Sequence, residues 1–442
     1  MDSLARTLSL RDLIGIVIGT VIGSGIFIVP AAVLRQTGGT VGPALTVWLV
    51  AGVLSLLGAL TYGELGASDP DAGGLYVYIR DAFGALPAFL YGWTAFFVIS
   101  SGSIATLAVA FSRYFGQFVP LSPLGAKLVA LAMIAVVTAI NVAGTRRSTG
   151  VQGLATAIKV GAILVMSVLL MARGDRLADA RGQWWPSELS GSLLSGVGLA
   201  MIGVLWAYEG WQYATFAAGE TRDPQRTFPR GIIAGTGVMI AIYLLANLGY
   251  LAALGPAAVA GSERVAADAV TAQFGSAAGK LIAAVILVSM FSAANGLALT
   301  APRLYFAMAR DGVFFSKLAQ VHPRFGTPAF AVVAGSVWAA VLAATGTFER
   351  LLTYVVFTSW IFYALGAASI FAYRRRSPNA PRPFRVPGYP LTPLLFIVSA
   401  AAIVVNTLFT QPGQALVGIA VVFLGAPAFY LWRARRTAGA RS

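Results

Sequence analysis

The chain has no cysteine and a single histidine, His322. Without cysteine, no disulfide, thiolate metal site or thiol nucleophile can form. With one histidine, neither a His-based triad nor a multi-His metal site can be built. Charge is also scarce. Only 11% of the 442 residues are Asp, Glu, Lys or Arg, where an average soluble chain carries about a quarter. The charge present is lopsided, with 31 Lys and Arg against 16 Asp and Glu. This excess does not point to nucleic acid, because the arginines stand in short segments between apolar runs, which is membrane topology. What fills the chain is apolar: 58% of residues are hydrophobic and the mean hydropathy is +0.79. The expectation is an all-α polytopic membrane protein. "MDSLARTLSLRDLIG" enters the first apolar run without a small-residue cleavage site, so no cleavable leader is expected.

A helix needs about 20 apolar residues to cross the hydrocarbon. Twelve such spans are expected, at 11–34, 42–66, 86–114, 124–144, 150–172, 190–219, 231–254, 276–309, 327–345, 350–373, 391–410 and 413–432. The third, sixth and eighth are longer than a straight crossing requires, so each is tilted, broken or extended. With both termini in the cytoplasm, about 21 of the 31 basic residues lie inside and about 9 outside, and Lys159 lies within a span. The densest clusters are "RRRSPNAPRPFR" after span ten and "RARRTAGAR" at the C-terminus. The expected location is therefore the cell (inner) membrane. No soluble domain or low-complexity region is seen.

Two spans are interrupted in corresponding places. Span one carries "GTVIGSG" and span six carries "AYEGWQ", roughly 185 residues later. Spans one to five and six to ten then form two halves of opposite topology, 1–175 and 185–375, followed by 376–442 with spans eleven and twelve and the basic tail. Paired interrupted spans point to a transporter's site. A helix restarting at Ser24 and Gly25 offers free N–H groups and a positive dipole end, which suit a carboxylate. Helix ends near Val21 and Ile22, and near Trp206, Ala207 and Tyr208, offer free carbonyls, which suit an ammonium. Together the poles describe an α-amino acid. Glycines at this spacing also permit close helix packing, and Gly15 and Gly19 fit that role.

The residues resemble the amino acid–polyamine–organocation superfamily, and within it the L-type amino acid transporter branch, over nearly the whole chain. The resemblance rests on "GTVIGSGIF", "YGELGASDPDAGGLYVYIRDAFG", "AIKVGAILV", "WAYEGW" with "GETRDPQRTFPRGI", "SAANGLALTAPRLYFAMARDG", "HPRFGTP" and "RPFRVPGYP", in that order. It implies a LeuT-like fold of two inverted five-helix repeats plus two peripheral helices. It also implies sodium-independent amino acid exchange by alternating access, with no cofactor. Ser24 and Gly25 match positions that hold the substrate carboxylate. Ile22, Trp206 and Glu209 match positions whose carbonyls lie near the amine. Gln212 and Asn295 match pocket-lining side chains, and Tyr243 matches a gating tyrosine. Tyr208 adds an aromatic beside Trp206. Eukaryotic members carry a cysteine after span three that binds a single-span partner glycoprotein. Here "FGQFVPLSPLGAK" has none, so no disulfide-linked heavy subunit is expected.

Two buried ionisable residues stand out. A lysine in mid-span is costly unless paired or hydrated. By the resemblance, Lys159 occupies the place where sodium-coupled relatives hold an ion, and would tie span five to the carbonyls of span one. Glu209 departs from the glycine, serine or alanine of many members, while others carry aspartate. It is open to four roles: pairing a cationic side chain, reinforcing the ammonium pole, binding a proton, or bonding a neighbouring helix. Glu64, Glu220, Asp12, Arg11, Asp223 and Arg230 are expected at the cytoplasmic side, as gate ion pairs or loop anchors. The leading expectation is an exchanger of neutral amino acids. A cationic amino acid carrier, a proton-coupled symporter or, less favoured, a polyamine carrier are the alternatives. A channel would need a continuous polar path, and an enzyme a catalytic constellation; neither is present.

Overall fold

The first helix begins where local chemistry permits. Ser9 Oγ accepts the Asp12 N–H (3.4 Å) and the Asp12 carboxylate accepts the Ser9 N–H (2.8 Å), a capping box. Asp12 is thereby used to start its own helix. A computed structural model describes residues 6, 8–70, 73–180, 184–188 and 190–439; the last residues of the expected basic tail, 440–442, lie outside the described residues.

The protein is all-α. The first span is two helices, α1 (Leu10–Val21) and α2 (Gly25–Gln36), bent by 49° at the glycines between them. The second is α3 (Val41–Ser68), followed by the short α4 (Leu75–Phe83). The third runs as α5 (Ala85–Thr94), a π turn (Ala95–Ile99) and α6 (Ser100–Phe115). Then come α7 (Pro123–Val142) and α8 (Thr145–Arg173). The sixth span is α9 (Gly191–Ala207), started by a Ser190 cap, and a 3-10 helix at Trp211–Glu220. Next are α10 (Pro224–Gly261), kinked at Gly255, α11 (Val265–Phe274) and α12 (Ser276–Arg310). The chain finishes with α13 (Ala329–Thr345), α14 (Phe348–Arg376), α15 (Leu391–Thr410) and α16 (Pro412–Gly439).

Ten of these helices are long and apolar enough to cross a membrane, and eleven if the bent pair counts as one span. Twelve were expected; the expected span 327–345 is α13, an apolar helix of only 17 residues. The three long spans use their length differently. The third absorbs it in a π turn and the sixth in a break, whereas α12 runs unbroken for 35 residues.

α1 packs against α8, α10, α12 and the 3-10 helix, so the bend in span one lies at the centre of the bundle. α15 and α16 present large apolar residues outward, Phe409 being 83% exposed. That would be costly in water but costs nothing in lipid.

One end of the bundle is fastened by arginine pairs. Glu64 on α3 accepts from Arg374 of α14 (2.8 and 2.7 Å) and from the Val386 N–H (2.6 Å). The Arg374 guanidinium also lies 3.6 Å from the Tyr389 ring centroid. Arg303 of α12 pairs with Glu220 (2.7 Å), and Asp311 accepts from Arg80 and Tyr76 of α4. Arg11, Asp223 and Arg230 form no ion pair among the described residues. Glu64 therefore anchors the 377–390 loop as well as pairing. Glu64→Ala leaves a guanidinium and a buried N–H unpaired and is expected to cost on the order of 3 kcal/mol, read as a lowered Tm in detergent.

Candidate functional site

The two interrupted spans meet at one cavity. It is lined by Thr20, Val21, Gly23, Ser24 and Gly25 of the first break and by Trp206 and Glu209 of the second. Ser103 and Leu107 of α6 and Leu297 of α12 complete it.

Glycine is needed where the breaks touch. A Cβ on Gly25 would fall on Cα and Cβ of Ala207, and one on Gly23 would stand 2.8 Å from Leu107 Cδ2. Gly210 has φ 134°, which L side chains rarely adopt, and a Cβ there would stand 2.8 Å from the Thr20 carbonyl carbon. Gly19 also packs tightly, against Gln152 and Thr156, whereas Gly15 faces open space and approaches no helix. The backbones are then stitched together. Thr20 Oγ1 donates to Gly210 O (3.0 Å), and the Tyr243 hydroxyl lies 2.8 Å from Ala207 O and 3.2 Å from Val21 O. Tyr243 thus links both breaks to α10.

The expected poles come out unequally. α2 starts at Ser24 and Gly25 with no side-chain cap, so its N-terminal end remains available to an anion. Ser24 Oγ accepts from Trp206 Nε1 (3.3 Å), and Trp206 packs edge-on to Phe348 at 6.5 Å. The carbonyls, in contrast, are not free. Ile22 O accepts from Lys159 Nζ (2.7 Å) and Ser289 Oγ (3.1 Å), and Lys159 also reaches Gly19 O (2.7 Å). Trp206 O accepts the Glu209 N–H (3.0 Å), and Ala207 O is taken by Tyr243. Buried carbonyls find donors inside the protein when they can, and here most come from α8, α10 and α12.

Of the residues singled out from sequence, Ser24, Gly25, Trp206 and Glu209 line the cavity; Ile22, Lys159, Tyr208, Gln212, Tyr243 and Asn295 do not. Tyr208 packs between Trp48 and Tyr243, with ring centroids 6.2 and 5.0 Å away. Asn295 is drawn into α7 and α8, bonded to Asn141 (2.9 Å), Ser148 and Gln152. Gln212 Nε2 donates to Glu209 Oε1 (2.6 Å) and to the Tyr363 hydroxyl (2.5 Å), and that hydroxyl donates to the same Oε1. The second Glu209 oxygen accepts nothing from the described residues. Tyr363, Ser103 and Leu107 escaped the sequence reading because they sit on regular spans with nothing to mark them, whereas Leu297 stands two residues after Asn295 in "SAANGLALTAPRLYFAMARDG". Thr20 stands inside the "GTVIGSG" motif, and that adjacency was the available signal.

Residues 8–427 match the family of amino acid permeases. The chain belongs to that family. The permease is 32% identical to the large neutral amino acids transporter small subunit 2 of Rattus norvegicus, over 97% of this chain and 81% of the relative. It is 31% identical to the serine/threonine exchanger SteT of Bacillus subtilis, over 98% of both chains. It is 32% identical to the cystine/glutamate transporter of Homo sapiens, over 97% of this chain and 85% of the relative. These are transporters, not enzymes, and a multi-pass membrane protein follows from the family and the apolar helices together.

Proposed function

We propose that the permease is a sodium-independent exchanger of neutral L-amino acids that works by alternating access. The observation that carries this is the meeting of two broken spans at one cavity. There, the uncapped start of α2 and Glu209 of the other break line the same space. An α-carboxylate suits the first and an α-ammonium the second. The relatives named above act on amino acids with very different side chains, and recognition through backbone groups is what such substrates share. Ile22, Gln212, Tyr208 and Asn295 then support the site from behind rather than touch the substrate.

In this reading Lys159 supplies a fixed positive charge where a coupling ion would otherwise sit, so sodium has no role. Residues 1–175 and 185–375 are two inverted repeats, and both termini face the cytoplasm. The arginine pairs at Glu64 and Glu220 close that side. Without cysteine the permease forms no disulfide-linked complex and works without a heavy subunit. Purified protein in liposomes tests the proposal: uptake of a labelled neutral amino acid should rise when the lumen is preloaded with unlabelled substrate, and should be the same with and without sodium. Uptake that requires sodium, or flux that ignores the preload, would refute it.

The free second oxygen of Glu209 favours a further reading, a substrate with a cationic side chain or a proton bound at that carboxylate. Glu209→Gln keeps the size and the acceptor for Tyr363 but removes the charge. About a tenfold fall in exchange is expected, equivalent to about 1.4 kcal/mol. Competition with neutral and cationic amino acids then shows which class lost affinity. If uptake and its pH profile stay as in wild type, Glu209 is structural.

A further inference from the structure

The interface of α8 and α12 with α1 holds buried polar groups that the cavity does not use. On α8, Ser148, Gln152, Thr156 and Lys159 recur every three or four residues, so they share one helical face. All four are at most 7% exposed. Across from them, α12 brings Ser289, Ser292 and Asn295, all fully buried. Both ends of this polar column are satisfied. Asn295 bonds Asn141, Ser148 and Gln152 Oε1, and Ser289 and Lys159 hold the carbonyls of the first break.

The middle of the column is not satisfied. Gln152 Nε2, Thr156 Oγ1 and Ser292 Oγ have no hydrogen-bond partner among the described residues. The first two of these atoms are neighbours. Gln152 Nε2 and Thr156 Oγ1 each lie 2.6 Å from the point where a Gly19 Cβ would stand, and Lys159 Nζ is bonded to the carbonyl of that same glycine. Ser292 lies one helical turn from both Ser289, which touches the break, and Asn295, which touches Gln152. Lys159 adds to the shortfall: an ammonium carries three donors, and two carbonyls are its partners. Three orphaned polar atoms beside a buried cation are not the pattern of a finished dry interface, because buried polar groups normally find a partner in protein or in ordered water.

We infer that this seam is a water-binding site. Water accepts from Gln152 Nε2 and from the third N–H of Lys159, and it can donate to the Thr156 and Ser292 oxygens. It thereby completes the column between α8 and α12 and holds Lys159 in register with the break in span one. Gln152, Thr156 and Ser292 are positioning residues: they act on the cavity only through Lys159 and α1.

The sign of a stability change tests this independently of what is transported, so its failure leaves the exchange reading standing. If the seam is dry, removing an orphaned hydroxyl relieves a penalty and raises Tm. If it binds water, removal strands the water and lowers Tm. Thr156→Val and Ser292→Ala in the full-length protein are therefore each expected to unfold several degrees lower than wild type. Thr156→Ser, which keeps the hydroxyl, should lie above Thr156→Val. Amino acid exchange should slow several-fold in Thr156→Val and less in Thr156→Ser. A Tm at or above wild type for either Thr156→Val or Ser292→Ala overturns the inference.

Discussion

Lys159→Ala is expected to lower amino acid exchange in liposomes to about a hundredth of wild type, with no recovery on adding sodium. The side chain is fully buried on α8, and no acidic group pairs with it among the described residues. It is held by two carbonyls at the C-terminal end of α1, where a helix presents partial negative charge and a cation is favoured. Each of those hydrogen bonds is charge-assisted, worth roughly 1.5–3 kcal/mol. Losing the pair frees Gly19 O and leaves Ile22 O to Ser289 alone, and nothing among the described residues replaces the charge. A tenfold change needs about 1.4 kcal/mol, so two decades is the expected scale. The protein should still insert, since alanine suits both helix and lipid. Binding of substrate to detergent-solubilised protein separates a lost site from a lost transport step. Exchange above a tenth of wild type would show that α1 holds its break without Lys159.

The second large effect is expected at Gly25. Gly25→Ala should reduce exchange at least tenfold, because its Cβ would fall on Cα and Cβ of Ala207, where the two breaks touch. Backbone cannot turn aside as a flexible side chain can, so the breaks must separate. Overpacking of this kind typically costs about 1–3 kcal/mol, and here the cost falls on cavity geometry. Gly15→Ala is the matched control. It lies on the same broken span, with nothing within 4 Å of its Cβ, and should leave exchange unchanged while gaining up to about 1 kcal/mol of helix propensity. If both variants transport alike, the close approach at Gly25 does not shape the site.

The class of the protein was legible in residue types and their order. Long apolar runs with arginine-rich connections can satisfy their backbone in a membrane only as helices. The interruptions "GTVIGSG" and "AYEGWQ" showed as local departures from such runs, and both are breaks in the structure. Caps at Ser122 and Ser190 start two helices in the structure, where the expected spans began at 124 and 190. The side chains behind the breaks were less legible. Asn295 looked like a pocket residue and instead bonds Asn141 and Ser148. The carbonyls of Ile22 and Trp206 looked free and are occupied. The sixth span was expected to restart as a helix after its break, and it does so as a ten-residue 3-10 helix, where such runs rarely exceed a few residues.

The reason lies in the range of the forces. Apolar periodicity, glycine content and charge placement act within a few residues, so the sequence by itself determined the helices, the membrane class, the two breaks and the residues at their edges. Which hydroxyl or amide satisfies a given carbonyl depends on which helices come within 3 Å of each other. Tyr363 reaches Glu209 across 154 residues and Tyr243 reaches Val21 across 222. Those pairings carry no local signature. Only the tertiary structure decided that the two breaks close on one cavity and that Tyr243 and Thr20 lock them together.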